Sequence, residues 1–203
     1  VTVNGTNGDD ELTLIGTTPD QGLVLNQDFT ISVNDGPAFQ YVDFPSATLN
    51  GLSGDDDFTV DVNVAALGTT INVDGGLPSS ERDRVRVTGV DGADDQPSWD
   101  ASSEDDGVLS LAGQSPINLF DVEGLTYDRE SDNEALSVVS AGGGWFVHAP
   151  GAAVDAGRMD LSEGGATLLG IVYVNLGAAG TVRADGSAGV GDTLVALGTG
   201  GSD

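Results

Sequence analysis

The sequence predicts an all-β fold, and three observations predict it. The local hydrophobic period is two: LTL, TISV, FTVDVNV, INV, RVRV, LSL and IVYV alternate or run apolar for the length of a strand. NG, NDG, DGG and DG punctuate these runs as turns. The 203 residues include 31 Gly and 7 Pro, which leaves little room for a long helix. Within the all-β class the expected arrangement is a β-solenoid, or parallel β-helix, built from repeated units. Tandem antiparallel β-sandwiches are the alternative. An aromatic content of 5% suits a narrow interior filled by Val, Leu and Ile. The strand starts at Phe58, Val85, Val108 and Leu136 lie 27, 23 and 28 residues apart. That spacing fits one circuit of short strands.

Taken in order, the elements repeat. A short strand, a Gly-rich acidic turn and a second strand occur at 1–16 (VTVNGTNGDDELTLIG), 70–89 (TINVDGGLPSSERDRVRVTG) and 181–198 (TVRADGSAGVGDTLVALG). A poorer copy occupies 145–162. Residues 30–60 also lie over 108–138 at a constant offset of 78. Ile31 falls on Leu109, Phe39 on Ile117, Leu49 on Tyr127 and Phe58 on Leu136. Phe44 and Val122, and likewise Val60 and Val138, are expected at equivalent inward positions. The chain reads as one repetitive domain, 1–203, with units of about 1–69, 70–144 and 145–203. Segments 91–107 and 150–166 read as excursions or irregular loops.

Composition narrows the function. The formal net charge is −27 and the pI about 4.1. Such a field repels nucleic acid and anionic lipid and attracts divalent cations. It also suits a surface adapted to high salt. Lys is absent, the six basic residues are Arg, and Asp outnumbers Glu 26 to 7. Asp favours turns and oxygen-ligand cation sites. Without Cys there is no disulfide, thiolate nucleophile or Cys-based zinc site. Without Lys there is no Schiff base and no P-loop lysine. No apolar run approaches the length of a membrane span. The start, VTVNG, has neither Met nor a signal peptide, as expected of a mature segment or a piece of something longer.

Two acidic turns, GDDELTL at 8–14 and GDDDFTV at 54–60, place carboxylates directly ahead of a strand. Stacked carboxylates about 5 Å apart repel unless a cation lies between them, and Ca²⁺ takes six to eight oxygens. The acid-led strand start, Asp-x-apolar, recurs at Asp83, Asp106 and Asp192. The expected metal ligands are Asp9, Asp10, Asp55, Asp56, Asp83 and Asp192, with calcium as the cofactor. The nonapeptides GTNGDDELT (5–13) and GLSGDDDFT (51–59) resemble the hemolysin-type RTX calcium repeat, G-G-x-G-x-D-x-U-x with U large and apolar. Gly8 and Gly54 take its fourth position, Asp10 and Asp56 its sixth, Leu12 and Phe58 its eighth. Thr6 and Leu52 stand where the repeat has its second Gly, and the two matches are not in tandem. The resemblance implies Ca²⁺ held between stacked turns. The layout also resembles the Gly/Asp-rich regions of large secreted bacterial surface proteins, which implies a structural, adhesive or matrix role.

Other candidates have plainer readings. His148 lacks a nucleophile pattern and reads as structural. Trp145, Phe146 and Tyr173 could stack on a sugar ring or fill the core. Arg82, Arg84 and Arg86 alternate, so they share one strand face and can pair with the acidic surface. No carboxylate pair stands out as catalytic, so a β-helical polysaccharide-degrading enzyme ranks below a glycan-binding adhesin module. The leading expectation is a non-enzymatic structural module of an extracellular surface or matrix fibre, stabilised by calcium. Its expected partners are identical subunits or adjacent repeats, joined head to tail through 1–16 and 181–198, and surface glycans. Nucleic acid and membrane insertion are not expected.

Overall fold

A computed structural model describes residues 2–4, 11–15, 22–26, 30–33, 39–42, 44–62, 69–78, 83–90, 94–129, 133–140, 142–186 and 191–198. The fold is all-β, with two mixed sheets. Strands are numbered along the chain. The large sheet holds eleven: β1 (Thr2–Asn4), β3 (Gly22–Asn26), β4 (Thr30–Val33), β5 (Phe39–Val42), β8 (Asp57–Asp61), β11 (Arg84–Thr88), β15 (Gly124–Asp128), β17 (Gly144–Pro150), β18 (Gly157–Glu163), β19 (Ala166–Val174) and β21 (Thr193–Ala196). The small sheet holds eight: β2 (Glu11–Ile15), β6 (Ser46–Asn50), β9 (Thr70–Asp74), β12 (Ser98–Ala101), β13 (Gly107–Ser110), β14 (Ile117–Phe120), β16 (Ala135–Ser140) and β20 (Thr181–Gly186). A two-stranded ribbon joins β7 (Ser53–Gly54) and β10 (Leu77–Pro78).

The chain passes from one sheet to the other and back, and strands of successive passes lie parallel to one another. Among the described pairings, every antiparallel one falls inside three meanders: β3–β4–β5, β12–β13–β14 and β17–β18–β19. Each meander is inserted the same way. Its last strand lies on the preceding circuit (β5 on β1, β14 on β9, β19 on β15). Its first strand lies on the following one (β3 on β8, β12 on β16, β17 on β21).

Period-two alternation explains why these segments are strands with one face inward. SATLN and DFTVD alternate buried and half-exposed residues, as do GLTYD and ALSVVS. The inward residues of both sheets form one core. Register builds rows across it. In the large sheet Leu23, Phe58, Val85, Leu125 and Ile171 follow one another on successive strands, all at most 2% exposed. Burying one such side chain is worth about 1.5–3 kcal/mol. Trp99 on β12 ties the small sheet to β19 by donating Nε1–H to the Leu169 carbonyl at 2.9 Å.

The 78-residue offset sets β5 on β14, β6 on β15 and β8 on β16, yet each pair lies in opposite sheets. Val60, Val122 and Val138 are buried, and Phe44 is half-buried against the core. The excursions at 91–107 and 150–166 are not irregular. Each contains a strand: β12, which carries the fully buried Trp99, and β18, which buries Met159 and Leu161. Each was masked by polar outward residues around only one or two apolar inward positions.

Candidate functional site

The acidic corners are where sequence and structure meet. On one side of the stack the chain leaves the small sheet for the large one, at 51–56, 75–83, 121–123, 141–143 and 187–192. On successive circuits Asp56, Asp83 and Glu123 stand immediately before β8, β11 and β15. The Asp83 and Glu123 carboxylates reach back to the preceding circuit. Asp83 Oδ1 accepts the Asp56 N–H at 2.7 Å, and Glu123 Oε2 accepts the Asp83 N–H at 2.6 Å. Further on, Asp192 Oδ1 accepts the N–H of Gly144, the first residue of β17, at 2.8 Å. Amides that leave a ladder at a corner need such an acceptor when buried.

The corner also needs glycine. Asp83 folds back over Gly75, where a Cβ would collide with its carboxylate and with the Asp121 carbonyl. Gly51 under Asp56 and Gly186 under Asp192 repeat the arrangement. A strand, a glycine, a loop and an acid-led strand are thus one structural sentence.

Asp56 and Asp83 are fully buried. Burial pushes the Asp83 carboxyl up to about 6; Glu123, Asp56 and Asp55 push the same way, and the Asp56 amide pulls it down. Burial likewise raises Asp121, which also faces Asp105, Asp74 and Asp106.

Of the expected metal ligands, the structure brings Asp55, Asp56 and Asp83 to one corner. It sets Asp192 apart, beside Gly144 and Gly186. Asp9 and Asp10 lie outside the described residues. The donors are hard oxygens, the kind Ca²⁺ prefers. Among the described residues, however, no three His, Cys, Asp or Glu side chains are placed to share an ion. The geometry fits amide capping and does not by itself fit a calcium cage.

Sequence reasoning missed Glu123, Glu134 and Asp95. Glu134 precedes β16 on the other side of the stack, where it accepts the Asp95 and Gln96 N–H groups at 3.2 Å each. There the acids have a cation. Arg129 Nη2 lies 2.9 Å from Glu134 and Nη1 lies 3.3 Å from Asp95, with all three side chains buried. Asp95 Oδ2 also accepts the Val90 N–H at 2.9 Å and the Tyr127 hydroxyl at 3.2 Å. Burial first, then Asp95 and Glu134, raise the Tyr127 hydroxyl, so it stays a neutral donor. Burial raises Glu134, against which its amide bonds and Arg129 pull down. The signal was present: Glu123-Gly-Leu-Thr-Tyr and Glu134-Ala-Leu-Ser-Val obey the acid-x-apolar-x-apolar rule with Glu in place of Asp.

The remaining candidates separate cleanly. Phe146 and Tyr173 are core, whereas Trp145 is 57% exposed. His148 Nε2 shares a 2.6 Å hydrogen bond with the Tyr173 hydroxyl, and their rings lie nearly parallel. Arg86 pairs with Asp128 across the outer face of the large sheet, Arg84 is exposed, and Arg82 lies outside the described residues.

No protein-family model, curated protein or solved structure matches this chain.

Proposed function

We propose that the chain is a non-enzymatic structural module: a β-solenoid that extends or spaces an extracellular surface or matrix fibre. The observation that carries this reading is the parallel stacking of strands from successive circuits, with antiparallel pairing confined to the three meanders among the described residues. Tandem antiparallel sandwiches would put hairpins, not parallel returns, between the sheets. The corner carboxylates support the same reading. Asp83, Glu123 and Asp192 each use a carboxylate oxygen to cap an amide of another circuit.

Single-molecule pulling tests it. A stack held circuit to circuit should unravel stepwise from an end. Parallel partners are separated by 24 residues (Ala47 to Ile71) up to 48 (Trp145 to Thr193). At roughly 3.5 Å per residue, the steps should be about 8–17 nm. One all-or-none rip at low force would sink the proposal. Melting with Ca²⁺, with matched Mg²⁺ and with chelator is the second arm, because an ion bound to the native state alone raises stability by RT ln(1 + [L]/Kd). A shift specific to Ca²⁺ would carry the calcium expectation. Equal shifts with Mg²⁺ or plain NaCl would reduce it to charge screening.

A second reading, a glycan-binding face, is favoured by one observation. The open Trp145 ring stands level with Ser162 and Thr193 on the neighbouring strands. Loss of polysaccharide pull-down on Trp145→Ala would carry it. Failure of the parent chain to bind any neutral glycan would remove it.

A further inference from the structure

We infer that the chain associates end to end, the edge of β20 that no described strand covers in one copy pairing in parallel with β2 of a second copy. The inference rests on the structural-module reading and names its partner. Among the described strands, β2 and β20 are the outermost pair of the small sheet. They run in the same direction: every step between them is parallel except the two inside β12–β13–β14, which cancel. One row of partners runs the whole way, through Leu12, Ala47, Ile71, Ile117, Leu109, Trp99, Val138 and Ala184.

The core is left unfinished at the β20 end. Leu136 and Val138 are 0% exposed, yet their partners Val182 and Ala184 are only partly buried. Leu194 lies against the buried Phe146 and is 58% exposed. A cavity of about 260 Å³ opens there, lined by Met159, Leu176, Val182, Ala184 and Leu194 among others. Apolar core positions beside an unpaired strand edge are a template for another strand.

Charge and register select the partner. Continuing the row by one strand sets Ala184 level with Leu12 of the second copy, and therefore Arg183 level with its Glu11. Arg183 is one of six cations against 33 acids; its side chain is 70% exposed and lies 2.9 Å from Asp185 on its own strand, leaving its outer donors open to a second acid. The same continuation in the large sheet does not bring β21 level with β1. The small sheet carries the join. Such a contact is heterologous and gives open filaments where the rotation does not close. The net charge of −27 opposes it, so added NaCl should promote it.

The Cys-free chain allows a direct test. The row sets Asp185 level with the second copy's Thr13. Under mild oxidation in raised NaCl, Thr13→Cys with Asp185→Cys should give a reducible ladder of dimers, trimers and longer species. The control pair Thr13→Cys with Arg158→Cys, the latter on the outer face of β18, should give none. In sedimentation, Arg183→Glu should weaken association about tenfold, and adding Glu11→Arg should restore it. Equal ladders from both pairs, an Arg183→Glu variant that associates normally, or a strictly monomeric parent chain would overturn the inference. Pulling is done on single molecules, so stepwise unravelling with no association would remove the join and leave the module. A single rip would remove the module itself.

Discussion

On one side of the stack Asp83 sits between Asp56 and Glu123; on the other Glu134 sits between Asp95 and Arg129. Both corners solve the same problem. A buried amide of one circuit is capped by an acid of the next. The difference lies in the groups described around each acid. The groups acting on Asp83 are three other carboxylates and one amide, whereas Arg129 neutralises its corner at close range. The first corner can relieve its repulsion by taking up a proton or a cation. In the second, Arg129 offsets part of the burial that raises Glu134. One fold device therefore works in two electrostatic settings.

The largest effect should come from breaking the second corner. Arg129→Ala leaves Asp95 and Glu134 buried without their partner, which costs about 3–5 kcal/mol. Asp83→Ala leaves one buried amide without its acceptor but also removes a repelled charge, so its loss should be smaller, about 1–2 kcal/mol. Urea unfolding of both variants measures the gap. Equal losses would mean that the Arg129 pairings contribute no more than an amide cap.

The next effect is a pH dependence at the first corner. Asp83 has a folded pKa of about 6, above the ordinary carboxyl value of 3.8. An acid raised on folding binds its proton more tightly in the native state. Its favourable contribution is therefore complete below about pH 4 and disappears as pH rises through 6. The span corresponds to at most about 3 kcal/mol. Asp83→Asn keeps an acceptor for the Asp56 amide and cannot ionise. It should flatten the stability profile between pH 4 and 7 and gain on the parent at pH 8. A profile unchanged by Asp83→Asn would show that the corner carries no such strain.

Much of this was legible in the sequence, and the limits are physical. Alternation reports which residues point inward, so Leu49, Val60, Val73 and Val138 could be read as core. It does not report which of two sheets a strand joins, and the 78-residue match therefore concealed that β6 and β15 lie in opposite sheets. Asp before an apolar alternation marked Asp56, Asp83 and Asp192. Their capping of amides was not legible, because a sequence displays charge and hides the amides that the charge answers. Arg129 was invisible as a partner because Asp95, 34 residues away, reaches it only through the stacking of circuits, and no local pattern marks its pairing with Glu134 in the same connection.

The smallest effect sharpens the comparison at the backbone. Each side has residues other than glycine in the left-handed region, and two of them differ usefully: Leu52 at φ 75° on the first, Gln96 at φ 42° on the second. Leu52 stands where the RTX-like nonapeptide has its second glycine. A side chain held there costs about 1–2 kcal/mol, and glycine loses about 0.5–1 kcal/mol more unfolded-state freedom on ordering. Leu52 is 41% exposed, so little packing is lost with its side chain, and its N–H bond to Asn50 Oδ1 survives the change. Leu52→Gly should therefore stabilise by about 0.5 kcal/mol. Gln96 differs because its Nε2 donates to Asp94 at 3.2 Å while its N–H donates to Glu134. Removing that side chain gives up a bond along with the strain, so Gln96→Gly should be neutral or slightly destabilising. Urea midpoints at constant m-value would read both changes. A gain at Gln96 equal to that at Leu52 would mean that backbone relief alone sets the outcome and that the Asp94 bond contributes nothing.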